Sequence, residues 1–488
     1  MSKLKKATTN AALEPLSPRE TTNGSPQGRG RGEGTAGVRH FANPEPSSGA
    51  SRHLLPEGEG TRPHARHSRS SQPPNGGSSG NPATLTPPCV PADWRESVLG
   101  EEISLQYGKS LRTDKREAGN FNVYGSNGIV GHHSTAAVTG PGIIVGRKGS
   151  VGEVVYSPND FWPIDTTYYV ENKHDNNWLF VYYLLTTLGL SSLNSHSAVP
   201  GLNRESAYPI RCLVPPKPEQ QKIAAVLWKM QRAIATQDRL IAATRDLKQS
   251  AMQHLFTHGL RGEPLKQTEL GPSPQSWQLA PIGKLGHVVT GSTPKTAKRE
   301  YYADGTLHFI APGDMGHATE IRSTAKKITE AGMQVSRMLP RGSTCVVCIG
   351  SSIGKVGITT RDRSTTNQQI NAVVPSSDFD TDYVCYLLQY HSELITSRAA
   401  PSPVPILSKS QFSSIELPIS LNTHEQRDIA AALAAIDRKL AHHQQKRAAL
   451  NDLFQTTLHQ LMTAQIRVAD LDIDTSDVTT PKPQGIAA

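Results

Sequence analysis

Three short stretches of this 488-residue chain have the residue types and spacing to do chemistry. In Gly350-Ser351-Ser352-Ile353-Gly354-Lys355-Val356, glycines and a lysine suggest a loop that cradles phosphate. The phosphate-loop pattern needs four residues between its glycines and a Ser or Thr after the lysine. Here three intervene and Val356 follows, while the comparable Gly146-Arg147-Lys148-Gly149-Ser150-Val151-Gly152 lacks the pattern altogether. Both read as tight turns between strands. Cys345-Val346-Val347-Cys348 has the spacing of half a zinc site, but no second pair follows. In an extended run, positions i and i+3 face opposite sides, so these are read as buried structural thiols. Pro163-Ile164-Asp165 ahead of Glu171-Asn172-Lys173 has the residue order of a metal-dependent nuclease core. Holding Mg²⁺ requires two or three converging carboxylates, and the other half of the chain offers Asn367 in place of the first acid. No Asn-Pro-Pro-aromatic or Asp-Pro-Pro-aromatic tetrad, Gly-x-Ser-x-Gly elbow or helicase acidic box occurs. The residues therefore favour binding over catalysis.

Binding side chains do cluster. Lys109, Arg112, Lys115 and Arg116 precede Asn120, Asn122, Tyr124 and Asn127, and Lys295, Lys298 and Arg299 adjoin Tyr301 and Tyr302. Cations of this kind hold phosphates, whereas Asn, Gln and Arg read base edges. Arg147, Lys148 and Lys355 can reach a nucleic-acid backbone from their turns. Arg204 and Lys409 occupy equivalent places in the two halves, which suggests one shared role. For any single residue, a solvated charged loop is the competing reading. Net charge adds little. Of the formal +9, residues 1–88 carry a surplus of five (eleven Lys/Arg against six Glu), leaving +4 on the remaining 400 residues.

The elements that must position these groups come in duplicate. Glu219-Gln220-Gln221-Lys222-Ile223-Ala224-Ala225-Val226-Leu227 returns 206 positions later as Glu425-Gln426-Arg427-Asp428-Ile429-Ala430-Ala431-Ala432-Leu433. The register continues through Arg232 and Arg438 to Arg261 and Arg467. Upstream, Pro91-Ala92-Asp93-Trp94 is echoed by Pro274-Gln275-Ser276-Trp277, and Asp165-Thr166-Thr167 aligns with Asn367-Gln368-Gln369. Amphipathic stretches follow at Trp178 to Leu185 and Tyr383 to Leu388, then Val199-Pro200-Gly201-Leu202 and Val404-Pro405-Ile406-Leu407. The unit is a variable mixed α/β module followed by a long helix, twice over, which makes a pseudo-twofold molecule. The divisions are 1–90, a disordered low-complexity tail (35 of the first 88 residues are Gly, Pro or Ser); 91–216, first module; 217–262, first helix; 263–421, second module; 422–467, second helix; and 468–488, a flexible tail.

Pro218 and Gly259 punctuate the first long helix, and Asn422 with Glu425 suggests a capping box for the second. Ile223, Leu227, Met230, Ile234, Gln237, Ile241, Thr244, Lys248, Ala251 and Leu255 step alternately by four and three. Ile429, Leu433, Ile436, Leu440, His443, Arg447, Leu450, Phe454, Thr457 and Leu461 repeat that stripe. A 3.5-residue period is a coiled-coil seam, and antiparallel pairing would close the chain into a pseudo-symmetric ring. Polar Gln237 and His443 share one seam position; His443 reads as a register residue rather than a metal ligand. Five scattered cysteines, no apolar run of membrane length and no apolar stretch after the N-terminal lysines fit a cytoplasmic protein.

These features together resemble the specificity subunits of type I restriction–modification enzymes. The resemblance rests on two dissimilar modules, each followed by a helix opening on Glu-Gln-x-x-Ile-Ala: Pro215-Pro216-Lys217-Pro218-Glu219-Gln220-Gln221-Lys222-Ile223-Ala224 and Glu425-Gln426-Arg427-Asp428-Ile429-Ala430. Gly125-Ser126-Asn127-Gly128-Ile129-Val130-Gly131, Gly291-Ser292-Thr293-Pro294 and Thr366-Asn367-Gln368-Gln369-Ile370 look like that family's target-recognition domains. Over residues 90 to 467 it implies a non-catalytic subunit whose two domains each read half of a bipartite double-stranded DNA target. The helices would then set the gap. It also implies docking of two modification subunits and of motor–nuclease subunits. S-adenosylmethionine, ATP and Mg would belong to those partners, and this chain would hold no cofactor. On this reading Lys109, Arg112, Lys115, Arg116, Asn127, Arg147, Lys148, Arg204, Lys295, Lys298, Arg299, Tyr301, Lys355, Gln368 and Lys409 are the candidate DNA contacts. Glu219, Gln220, Ile223, Glu425, Gln426 and Ile429 are the candidate partner contacts. The alternatives are a stand-alone DNA-modifying or DNA-cleaving enzyme and a coiled-coil adaptor that ignores DNA.

Overall fold

The computed structural model describes residues 90–193, 201–316, 318–400 and 403–479. The expected tail at 1–90 falls outside them but for Val90, as do Val199-Pro200 and residues 480–488. The first module holds β1 (Arg95–Val98), β2 (Ile103–Tyr107), β3 (Phe121–Gly125), β4 (Gly128–His133), β5 (Gly142–Gly146), β6 (Val154–Ser157), β7 (Phe161–Pro163), β8 (Thr167–Asn172) and β9 (Arg211–Val214). A hairpin of β10 (Leu265–Thr268) and β11 (Gly271–Pro274) leads into the second. There follow β12 (Gln278–Pro281), β13 (Gly286–Thr290), β14 (Leu307–Ile310), β15 (Glu320–Ile321), β16 (Lys326–Ile328), β17 (Thr344–Val347), β18 (Val356–Thr359), β19 (Ser364–Thr366), β20 (Ile370–Pro375) and β21 (Glu416–Ile419).

The two modules share one topology. The first has sheets ordered β2-β8-β5-β6 and β4-β3-β7; the second has β13-β20-β17-β18-β15 and β16-β14-β19. Even the parallel pairs correspond, β3 with β7 and β14 with β19. In each module the first and last strands pair antiparallel, β1 with β9 and β12 with β21, so the chain enters and leaves at one point. The β-branched runs form central strands buried on both faces: Ile143, Ile144 and Val145 are at most 1% exposed, as are Cys345, Val346, Val347 and Cys348. Cys345 and Cys348 pack into different apolar clusters, as opposite faces require, and both are free thiols. Gly149, Gly152, Gly350 and Gly354 all have φ between +78° and +94°, the left-handed geometry that makes glycine the fitting residue in the β5–β6 and β17–β18 turns. Asp165 and Glu171 lie at opposite ends of β8, so they do not converge on a cation.

The long helices span Lys217–His258 and Thr423–Met462, about 60 Å each at 1.5 Å per residue. The first ends at His258, where Gly259, at φ +65°, stops it. They run antiparallel: Asp238 pairs with Arg447 at 3.1 Å and Lys248 with Asp437 at 2.7 Å. His443 Nδ1 and Gln237 Oε1 meet at 3.0 Å. Since these two are the same position of the repeat, the pseudo-twofold axis passes through their contact. Nineteen of the twenty seam residues are buried or half-buried; Arg447 swings out to its aspartate instead. Asn422 caps the second helix by accepting from His424 N and Glu425 N. The expected capping box is corrected, since the Glu425 carboxylate turns to other donors.

Those donors belong to a clamp found at both ends of the rods. Trp277 Nε1 donates to Glu425 Oε2 at 3.1 Å, Ser420 Oγ donates at 2.7 Å, and Leu260 N donates to Oε1 at 3.1 Å. At the other end Trp94 Nε1 donates to Glu219 Oε2 at 2.9 Å, and Arg467 bridges Glu219 and Asp93 at 2.6 Å to each. Gln220 accepts from Asn177 N and Gln426 accepts from Asp380 N, docking the following short helix of each module on its rod. Glu219, Gln220, Ile223, Glu425, Gln426 and Ile429 are all at most 4% exposed. These side chains, read from the sequence as candidate partner contacts, make their contacts here within the chain. Apolar packing agrees, for one cluster joins the first module to Ile223, Leu227, Phe454, Leu458 and Leu461. Another joins the second module to Leu255, Phe256, Ile429 and Leu433. Each such buried Leu, Ile or Phe contributes roughly 1.5–3 kcal/mol.

Burial alone would raise the Glu219 carboxyl, yet bonds from Arg467 and Trp94 outweigh it and hold it below the ordinary range. Glu102 is balanced in the same direction by Arg95, Ser97 and Asn176. A depressed carboxyl lends stability that is full above the unfolded value, about 4.3, and fades as pH falls through the folded one. Melting temperature should therefore be flat between about pH 7 and 5 and fall steeply below about pH 4. Glu219→Gln should melt lower at neutral pH and show a shallower acid limb; an unchanged acid limb would show that the clamp carries no such linkage.

The expectation of a flexible tail is corrected for residues 468–479. Val468 and Val478 are 4% and 8% exposed, and the segment lies along the first long helix.

Candidate nucleic-acid interface

Each module gathers four loops at one end of its main sheet. In the first, Gly108 N donates to Thr167 O, Lys109 N to Pro163 O, Arg147 N and Lys148 N to Thr166 O, and Leu202 N to Arg147 O. In the second, Ser292 N donates to Thr366 O, Cys348 N to Gln369 O, Leu407 N to Cys348 O and Gly350 N to Pro405 O. The loop after β2 or β13, the glycine turn, the turn before β8 or β20 and the segment 201–204 or 405–409 are thus stitched together twice in one arrangement.

In the first module this end carries Lys109, Arg147, Lys148 and Arg204. The Arg147 guanidinium lies 5.3 Å from the Tyr107 ring centre and that of Arg204 lies 5.2 Å from it. Arg147 also donates to Asp165 O. Tyr107 is 52% exposed and sits 5.1 Å from the Tyr168 ring. Burial, with the bond to Tyr107, pushes the Tyr168 hydroxyl up to about 12, so at neutral pH it stays protonated and donates to Leu202 O. Ser126, next to Asn127 in the β3–β4 turn, comes beside the glycine turn: a Cβ on Gly149 would lie 3.2 Å from Ser126 Oγ. Arg116 donates to Val130 O at 2.7 Å, across the same hairpin. Arg112 pairs with Asp114 at 3.3 Å and Lys115 is exposed; neither is drawn into the cluster by a contact. Tyr107 was not singled out in the sequence, where its only signal is an aromatic followed at once by Gly108-Lys109.

In the second module Gln368 accepts from Thr293 Oγ1 at 2.5 Å, tying the turn before β20 to the loop after β13. That loop continues through Lys295, Lys298, Arg299 and Tyr301. Lys298 sits 5.1 Å over the Tyr301 ring and pairs with Glu300, while Tyr302 donates to Pro294 O. The Lys355 stem packs on Gly316. Lys409 opens a short helix capped by Ser408, just as Arg204 opens one capped by Asn203. The two ends share a backbone frame and differ in side chains: Tyr107, Arg147 and Arg204 in one, Thr290, Ile349 and Lys409 in the other. Exposed cations, amides and aromatics on such a frame can hold phosphates and read base edges. Among the described residues no group of three or more His, Cys, Asp or Glu is placed to hold a metal, and no helix is long and apolar enough to cross a membrane.

Two α/β modules of one topology, fixed at opposite ends of a paired helical rod, define a bipartite recognition scaffold. Residues 91–243 and 274–452 match the type I restriction modification DNA specificity domain, and the chain belongs to that family. It is 30% identical over 178 residues to the type I restriction enzyme MjaIX specificity subunit of Methanocaldococcus jannaschii, covering 35% of this chain and 40% of that one. It is 30% identical over 149 residues to the HindI specificity subunit of Haemophilus influenzae, covering 30% and 32%. The matched stretches thus span two fifths or less of these relatives. A type I restriction–modification S subunit from M. genitalium superposes with a TM-score of 0.56 at 16% identity, over 76% of this chain and 96% of that one, a likeness of fold.

Proposed function

We propose that this chain is the non-catalytic DNA-reading subunit of a type I restriction–modification complex. Each module, 91–216 and 263–421, reads one half of a bipartite double-stranded target, and the rods set the gap. The observation that carries this reading is the duplicated loop end: one backbone frame displayed twice, with unlike side chains, on modules clamped to a shared rod. Two modification subunits and the motor–nuclease subunits dock on the assembly and bring S-adenosylmethionine, ATP and Mg with them. The buried Glu-Gln-x-x-Ile starts act by fixing where each module and rod face sits, which sets the docking geometry. Half-sites that face one side of B-DNA lie about 34–36 Å apart, and a rod of about 60 Å bridges that span.

Adenine-methylation sequencing of the host genome, with and without the gene, tests this. One bipartite motif should be methylated when the gene is present and unmethylated when it is deleted. A methylation pattern indifferent to the deletion would sink the reading. Cutting or methylation by the purified chain alone would point to the stand-alone enzyme, and assembly with modification subunits without DNA binding would point to the adaptor.

A further inference from the structure

The two modules bring guanidinium groups to the same point of their common frame, but from different loops. In the first, Arg147 and Arg204 lie over Tyr107, the last residue of β2. Thr290 ends β13 in the same way, and it pairs with Asn371 as Tyr107 pairs with Tyr168. The glycine turn of the second module has Ile349 where the first has Arg147, so it supplies no arginine. Instead Arg337 Nη1 donates to Thr290 O at 2.7 Å.

Arg337 reaches this point from the segment between the short helix Glu330–Gln334 and β17. Two attachments hold that segment against β19. Thr365 Oγ1 donates to Arg337 O at 2.9 Å, and Leu339 and Ser364 exchange backbone bonds of 2.7 and 3.0 Å. β19 runs directly into Asn367-Gln368-Gln369, the turn that belongs to the loop end. The first module has the same attachment, Val138 with Phe161 at the start of β7, but Ala136 stands in the arginine's place there. The arginine is therefore peculiar to the second module, as a determinant of one half-site must be.

Arg337 is exposed, and among the described residues no carboxylate pairs with it. With Nη1 tied to a carbonyl, Nε–H and Nη2–H remain as a fork that suits two acceptors side by side. Its neighbours Val335 and Met338 are each 53% exposed. Such apolar flanks suit base edges and thymine methyls on a groove floor better than a phosphate ridge. We infer that Arg337 is a specificity-determining residue of the second module, donating to O6 and N7 of one guanine in the major groove of its half-site. This rests on the DNA-reading function proposed above.

The test is methylation by the reconstituted complex on DNA whose second half-site is randomised, this being the half-site that replacing residues 91–216 leaves unchanged. Arg337→Ala should lower discrimination at one G·C pair by about tenfold or more. The other pairs and the first half-site should stay as they were. A guanine analogue with carbon in place of N7 at that pair should weaken methylation by the wild type and make little difference to Arg337→Ala. A merely structural arginine would not give that response, and the analogue on the wild type tests the contact without any substitution. Because Arg337 is exposed, the variant should melt as the wild type does. Equal weakening on every sequence (a phosphate contact), no change, or a second half-site without a G·C pair would overturn the inference and leave the bipartite reading intact. A wild-type complex that methylates no bipartite motif would overturn both.

Discussion

With seven residues inserted in each long helix, next to Gln237 and next to His443, the complex should methylate a target whose gap is longer by about three base pairs. Seven residues are one full seam period, so the apolar stripe stays in register. They add about 10 Å at 1.5 Å per residue, and B-DNA rises about 3.4 Å per pair. The half-site sequences should not change, because the loop ends proposed to read them are untouched. Inserting at the pseudo-twofold axis in both helices keeps Glu219 opposite Arg467 and Glu425 opposite Leu260 N. A single-helix insertion offsets those partners by the same 10 Å and should open a clamp and lower the melting temperature sharply. Three base pairs also turn the second half-site about 100° around the duplex, whereas a heptad turns the helix face only about 20°. The longer target should therefore bind more weakly than the original did. Methylation mapping of the engineered complex reads all of this, and an unaltered gap would end the ruler account.

Replacing residues 91–216 by the corresponding module of a relative should exchange one half-site completely and leave the other half-site and the gap as they were. The exchange is clean because β1 pairs with β9, so the graft enters and leaves beside the start of the first long helix. It succeeds only if the graft keeps what the rod sees: an indole for Glu219 where Trp94 stands, and a backbone N–H for Gln220 where Asn177 stands. A graft lacking that tryptophan would leave a buried carboxylate short of a donor and should lose stability by roughly 1–3 kcal/mol. If both half-sites change together, each module does not read its own half. Within the module, Arg147→Ala and Arg204→Ala should weaken methylation of this half-site by removing the two guanidiniums over Tyr107.

Repetition and periodicity made the skeleton legible before any coordinates. The seam positions, Gly259 as a stop, the turns at Gly149 and Gly354 and the opposed cysteines all follow from local rules, because helix pitch, strand alternation and glycine's freedom act within a few residues. What the sequence reading left out depended on contacts between distant residues. Glu219 and Glu425 invite an outward role, and only the closed ring shows them buried under Trp94 and Trp277. Residues 468–479 have the acid-rich composition of a solvated tail, yet Lys222, Lys229 and Arg232 some 245 positions earlier hold them down.

The chain's own order of residues thus determined two like modules, two like helices and the seam that joins them, since duplication and heptad spacing are properties of the string. The tertiary structure decided which side chains share a surface. Tyr107, Arg147 and Arg204 are as much as 97 positions apart, and they meet only because the tertiary fold brings the end of β2, the turn after β5 and the segment 201–204 together at one end. Burial and charge pairing across such distances arise only when the chain closes on itself, so no local pattern could have announced them.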